Sequence, residues 1–242
     1  MGTNCKPWAL SPTACWAAAK QTLHNNESRL HCQRKRSKTM TSPHPAGQAH
    51  LVLASASPYR KELLERLSLA FAVAPPGIDE SPRLGEAPAA LALRLAEAKA
   101  RAVAPAYPSA LIVGSDQVAE FSGEAIGKPR DRAHGLQMLA NMSGRTIVFH
   151  TALAVLNAHS GRLQTALVDV ASTFRALDPR ELEAYLDQDQ PYDCAGAVRV
   201  ESLGIALFTR VASDDPTALI GLPLIRLTDM LRAEGVNPLL RP

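Results

Sequence analysis

A chain of 242 residues that is 46% hydrophobic and 20% charged has the composition of a soluble globular protein and enough length to bury a real core. No run approaches the roughly 20 uncharged apolar residues that a membrane span requires. The formal net charge of +3 is unevenly spread: residues 1–50 hold four Lys, three Arg and the single acid Glu27, a balance of +6, which leaves the remaining residues at −3. A mildly acidic body argues against nucleic-acid binding by the body itself, and any such signal belongs to the head.

The head, residues 1–50, contains both tryptophans, Cys5, Cys15, Cys32 and the basic cluster Arg34-Lys35-Arg36-Ser37-Lys38. It is polar and proline-containing without a hydrophobic period, so it reads as a disordered basic extension. It lacks the apolar core of a secretory signal. The simpler expectation is that Met40, eleven residues before the first strand, is an alternative start and the upstream part an artefact of start-site choice. No C-x-x-C pair occurs and Cys194 stands alone in the body, so neither a disulfide framework nor a cysteine metal site is expected, and the body reads as a reducing-compartment protein.

From residue 51 the pattern alternates strand and helix. Leu51-Val52-Leu53 is a short apolar run; Ala54 to Ser57 are too small and hydroxyl-rich to continue it, and Pro58 suits the first turn of a helix with Ser57 as its N-cap. Leu63, Leu64 and Leu67 recur at helical spacing. A helix start that gathers Ser55, Ser57, Arg60 and Lys61 is a reasonable phosphate site, though an ordinary capped helix with solvated basic residues accounts for it equally well. Phe71 and Val73 suggest a short strand before Pro75-Pro76-Gly77, and Asp79 and Glu80 follow in a loop closed by Pro82. Ala89 to Ala104 is a strong helix, with Leu91, Leu95, Ala98 and Ala102 as its apolar stripe and Glu97, Lys99 and Arg101 off it.

Leu111-Ile112-Val113 reads as a central strand that ends at Gly114-Ser115-Asp116-Gln117, placing an acid and an amide at the sheet edge where α/β proteins bind ligands. Gly127-Lys128-Pro129 exposes a lysine beside a glycine-freed backbone. A helix spans Asp131 to Met142. Thr146–Asn157 and Leu163–Phe174 are β-prone runs joined through Gly161 into a hairpin. Pro179 opens a helix, Val198–Glu201 and Ile205–Val211 suggest a second strand pair, and a final helix closes near Glu234. One α/β domain with a mixed sheet is the simplest account.

LVLASASPYRKELLERL, IDESP, EAKA, LIVGSDQV, GKP, CAGAVRVESLG and IGLPL, in this order over residues 51–240, resemble the Maf family of nucleoside triphosphate pyrophosphatases. GSDQ, Tyr-Asp-Cys-Ala-Gly and DDPTALIGLPL are most similar to its branch that hydrolyses 7-methyl-GTP. The resemblance implies a Maf/ITPase-like α/β domain over residues 51–242, an elongated mixed sheet flanked by helices with a deep cleft. It also implies cleavage between the α- and β-phosphates of a nucleotide, assisted by a divalent metal (Mg or Mn), in a cytoplasmic homodimer with no membrane or nucleic-acid partner. Carried over by residue, Asp116 matches the proton acceptor; Tyr59, Gln117 and Glu201 match positions that separate substrate classes; Ser55, Arg60, Lys99 and Lys128 match phosphate contacts; Glu80, with Asp116, matches the metal site. Where this branch usually has Trp, the chain has Tyr59, which keeps a flat aromatic surface for a base. The alternatives are a dTTP or UTP pyrophosphatase of the same family, or a non-catalytic cell-division regulator.

Taken singly, each residue has a plainer reading: Asp116 and Glu80 as turn residues, Lys99 and Arg60 as solvated charges, Glu201 as a strand-surface charge, Cys194 as a small packed residue and His150 as a strand residue. Only their joint fit to one reaction lifts them above it.

Overall fold

The computed structural model describes residues 51–240; the basic extension and the alternative start at Met40 lie outside them. Leu51–Ala54 (β1) is buried along its whole length, as a central parallel strand should be. The chain then turns into Pro58–Glu65 (α1), whose N-cap Ser57 accepts the Arg60 N–H at 3.4 Å, with Pro58 in the first turn. Leu63 and Leu64 are fully buried beneath it. Ala72–Val73 (β2) is a two-residue edge strand.

Pro88–Val103 (α2) forms where expected, but its buried face is not the predicted stripe. Leu91, Leu95, Lys99 and Val103, with Ala92, Ala96 and Ala100, face the sheet, while Ala98 and Ala102 do not. The stripe therefore runs every four residues and includes the lysine. Leu91 and Leu95 contribute about 1.5–3 kcal/mol each by burial.

Leu111–Phe121 (β3) does not stop at Gly114; it continues through Ser115, Asp116 and Gln117 for 11 residues. Gly114 is a close-approach glycine rather than a terminator, because a Cβ there would lie 2.2 Å from the Ala96 carbonyl oxygen of α2. Glu124–Ile126 (β4), to which the sequence pattern assigns no element, folds back on β3. Arg132–Met142 (α3) follows, its N-cap Asp131 accepting from the His134 N–H at 2.8 Å. Thr146–Asn157 (β5) and Leu163–Phe174 (β6) form the hairpin with the boundaries read from sequence. Pro179–Asp189 (α4) begins with a capping box between Asp178 and Glu181.

The second strand pair is not present. Val198–Glu201 is irregular, and Leu203–Leu207 is a 3-10 turn. Only Phe208–Ala212 (β7) is extended. The Arg199 carbonyl accepts from Gly204 N–H, and a Cβ on Gly204 would meet that oxygen at 2.3 Å, so the backbone folds onto itself instead of pairing. Leu224–Ala233 (α5) ends the fold.

The strands form one seven-stranded mixed sheet ordered β2-β1-β3-β5-β6-β7, with β4 also on β3. β1 is parallel to β2 and β3, whereas β3, β5, β6 and β7 are each antiparallel to the next. Alternation along β3 and β5 sends Ile112, Val118, Ala152 and Ala154 toward α2. The opposite face carries two cores: Val113, Leu153 and Val155 under α1 and α5, and Ala119, Ile147 and Phe149 under α3 and α4. A seam at Ser115, Gln117 and Thr151 divides them. On the α2 side, His150 is buried between Asp169 (2.7 Å) and Glu120 (2.9 Å).

Candidate active site

β1 pairs with β3 only as far as Ala54↔Gly114, and β4 begins at Ala119↔Ile126. Residues 115–118 of β3 therefore have no strand beside them on that side. A cleft of about 620 Å³ opens at this gap and wraps around the sheet edge, so groups from both sheet faces reach it. A strand bared at the point where its neighbours change is where α/β sheets leave room for ligands.

Its centre is ionic. Lys99 Nζ lies 2.6 Å from Asp116 Oδ1 and 2.7 Å from Glu80 Oε1. Lys99 is 5% and Asp116 6% exposed. Asp116 points toward α2 because its parity on β3 matches Ile112 and Val118. Lys99 meets it because it continues the Leu91–Leu95 stripe. Burial is the largest influence on Asp116 and raises its pKa above the usual carboxylate value; Lys99 and Arg60 pull it down but do not cancel the effect. Glu80 lies on a loop pinned to α2: Arg94 grips Glu86 at 2.6 and 2.8 Å and donates to the Ser81 carbonyl at 3.0 Å.

The β1–α1 turn supplies a second group. Ser55 is buried and its Oγ accepts from Ser57 N–H at 3.1 Å. Arg60 Nε donates to the Gly221 carbonyl at 2.8 Å. Gly221 has φ +109°, and a Cβ there would press on Arg60 Nε at 3.3 Å. Burial lowers the Arg60 pKa, against Asp116, Glu80 and Glu201 around it, and a guanidinium so placed stays charged. Lys128 reaches the cleft from the loop after β4, which is tied across by Gly196 N–H to the Gly127 carbonyl at 3.0 Å. Among the described residues neither Arg60 nor Lys128 pairs with a carboxylate.

The remaining wall is more apolar. Tyr59, Phe149 and Val198 line it, with Glu201 at the same cleft. The Tyr59 hydroxyl is raised by burial and then by the Glu201 carboxylate near it. Gln117 Nε2 donates to Thr151 Oγ1 and the Ala218 carbonyl at 2.9 Å and to the Leu219 carbonyl at 3.0 Å. Asp193 is bound to Arg199 at 2.6 Å, and burial pushes the Cys194 thiol up to about 11, leaving it a poor nucleophile.

All nine side chains singled out from the sequence, Ser55, Tyr59, Arg60, Glu80, Lys99, Asp116, Gln117, Lys128 and Glu201, thus line one cleft. Ser115, Thr151 and the carbonyls of Ala218, Leu219 and Gly221, which sequence reasoning passed over, hold that set in place. Ser115 and Thr151 show in the sequence only as small polar residues inside otherwise apolar strands, and the three carbonyls only through the DDPTALIGLPL motif that contains them. For a metal, the donor chemistry fits: two carboxylates converge on one cationic point, the Lys99 ammonium, and both offer oxygen only, the preference of a hard divalent ion. No cluster of three or more His, Cys, Asp or Glu suited to a metal occurs among the described residues, so such an ion would complete its shell with water and phosphate oxygens.

A family model described as "Maf-like protein" matches residues 50–234. The 7-methyl-GTP pyrophosphatase of Methylobacillus flagellatus is 54% identical over 187 residues, 77% of this chain and 97% of that protein. Those of Albidiferax ferrireducens and Thiobacillus denitrificans are 52% and 50% identical over 192 and 204 residues, covering 79% and 84% of this chain and 96% and 98% of theirs. Among solved structures, the Staphylococcus aureus Ham1 protein matches at 15% identity and a TM-score of 0.39, over 52% of this chain and 72% of that one; that likeness is too distant to bear on the site. On the family match and these near-full-length relatives, the chain belongs to the Maf family.

Proposed function

We propose that this chain hydrolyses 7-methyl-GTP to 7-methyl-GMP and diphosphate, removing a modified nucleotide from the pool. The observation that carries the reading is the convergence, in one cleft, of a buried acid, three cations and an aromatic wall beside a carboxylate. Asp116 takes the proton of the attacking water; its upward-shifted carboxyl is a better base than an ordinary aspartate, and it sits on a rigid central strand. Arg60 and Lys128 receive the phosphate chain, Ser55 donates a hydroxyl, and Lys99 keeps charge balanced around Asp116 as the α-phosphorus to bridging-oxygen bond breaks. Glu80 and Asp116 would hold a divalent cation, Mg or Mn, which when bound supplies charge neutralisation at phosphate oxygens. Tyr59 offers a π face and Glu201 a negative charge, the pair that suits a cationic methylated purine.

The reading includes residues 51–242 as the catalytic domain, with residues 1–50 an extension, and a cytoplasmic homodimer. No helix among the described residues is long and apolar enough to cross a membrane. The test is a panel of 7-methyl-GTP, GTP, dTTP and UTP with Mg²⁺, read for monophosphate and diphosphate. Fastest turnover of 7-methyl-GTP is expected, and faster cleavage of dTTP or UTP would overturn the base assignment. Asp116→Asn is expected to lose at least about a hundredfold in kcat; full activity in that variant would refute the role of the acid.

A further inference from the structure

The chain from Asp215 to Ile225 forms a small closed loop, and one buried side chain closes it. Asp215, 2% exposed, accepts from Thr217 N–H (3.0 Å) and Thr217 Oγ1 (2.6 Å) through Oδ1, and from Ile225 N–H (2.8 Å) through Oδ2. Thr217 Oγ1 in turn accepts from Leu224 N–H at 2.8 Å. These bonds cap the start of α5, whose own N-cap residue, Pro223, makes no side-chain bond. They also fix the intervening backbone, which turns its carbonyls toward the cleft. Ala218 O and Leu219 O accept from Gln117 Nε2, Ala218 O from Thr151 Oγ1, and Gly221 O from Arg60 Nε and Ser115 Oγ.

This arrangement dictates which way the Gln117 amide points. Backbone carbonyls accept only, so the nitrogen must face Ala218 and Leu219 and the oxygen must face away. Both N–H groups are then consumed by the loop and Thr151. Oε1 accepts from no group among the described residues, and the residue lines the cleft. Gln117 therefore meets a ligand as an acceptor alone, complementary to the adjacent N1–H and N2–H donors of guanine, whereas thymine offers a single N–H flanked by carbonyls.

We infer that Asp215 is a positioning residue for base selection: by closing the 215–225 loop it holds the carbonyls that lock Gln117 as an acceptor, although it lines no part of the cleft itself. A carboxylate is required for this. In Asp215→Asn, whichever oxygen becomes the amide nitrogen opposes an N–H, from Thr217 on one side or Ile225 on the other.

The inference rests on the nucleotide reading above, and binding of products tests it without catalysis. Calorimetry of the full chain with 7-methyl-GMP and with TMP gives the TMP dissociation constant divided by that of 7-methyl-GMP, a ratio that partial unfolding of a variant does not alter. Asp215→Asn is expected to shrink that ratio by about tenfold, the worth of one lost hydrogen bond in selectivity. In a Gln117→Leu background the same substitution is expected to change the ratio less than twofold, since the residue through which it acts is gone. An unchanged ratio in Asp215→Asn, or equal effects with and without Gln117, would overturn the inference. Thr217→Val, which keeps the side-chain shape and removes the shared hydroxyl, carries the same expectation should Asp215→Asn not fold. A wild-type chain that prefers TMP would refute the base assignment while leaving the comparison between variants in force; one that binds neither monophosphate would overturn both.

Discussion

Gly114→Ala probes the contact on which the centre of the cleft depends. The added Cβ would lie 2.2 Å from the Ala96 carbonyl oxygen and 2.9 Å from the Ala100 nitrogen, both backbone atoms of α2. Ordinary contact begins near 3.4 Å, so helix and strand must separate by about 1 Å, and neither atom belongs to a side chain that could rotate away. Overpacking against backbone in a fully buried layer costs about 3 kcal/mol, the upper part of the usual range. For a domain of this size that corresponds to a fall of roughly 6–12 °C in Tm. Lys99 rides on α2 one residue before Ala100, and its bond to Asp116 is only 2.6 Å long. Moving the helix by ~1 Å breaks that bond, and misplacement on this scale costs up to about a hundredfold in rate. Thermal unfolding and steady-state diphosphate release measure the two effects. A Gly114→Ala protein with wild-type Tm and kcat would refute both the close approach and its link to the cleft.

Lys99→Met removes the shared cation from two carboxylates, one of them buried, and is expected to destabilise by about 3–5 kcal/mol in urea titration at pH 8 without added metal; a loss under 1 kcal/mol would show the pair to be solvated. Arg94 draws the Glu86 carboxyl down from 4.5 to about 2. A depressed acid contributes stability that is complete above about 4.5 and lost as pH falls toward 2. Arg94→Met is therefore expected to move the acid-unfolding midpoint, followed by circular dichroism, to higher pH; an unmoved midpoint would refute the coupling. With its thiol raised to about 11, Cys194 is expected to alkylate at pH 8 roughly a hundredfold more slowly than a free cysteine, measured by peptide mass mapping. Rapid labelling would place it in a different environment.

Elements specified by local chemistry were legible in the sequence. Ser57 and Pro58 fix the start of α1 within four residues of chain, and the β5–β6 hairpin announces itself through two β-prone runs and Gly161. What could not be read came from distant contacts. Gly114 looks like a strand terminator because glycine usually is one; its actual reason is the Ala96 carbonyl, 18 positions away in sequence and in another element. Lys99 was set off the apolar stripe because it is charged, yet it completes that stripe once Asp116 and Glu80 are there to meet it. Val198–Glu201 has strand-like composition, but composition does not show that the backbone nearby folds onto itself at Gly204. The site residues were visible as motifs, and so was the stretch that carries Asp215, but the work of that loop was not, since nothing local reveals which carbonyls face which amide.

The charge balance of the cleft assigns different work to its cations. Lys99 is already engaged by two carboxylates within 2.7 Å, so it adds little net positive potential to attract a polyanion, and its effect falls on the Asp116 carboxyl. Arg60 and Lys128 form no ion pair among the described residues, although Asp116, Glu80 and Glu201 act on Arg60 at longer range, and on the proposed reading their charge meets the incoming phosphates. Arg60 is further prevented from wandering by the Gly221 carbonyl, which orients the guanidinium fork without neutralising it. On the proposed reading an acidic body recruits a triphosphate through two cations that lack an ion-pair partner at one opening, where a local field outweighs the sum over the surface.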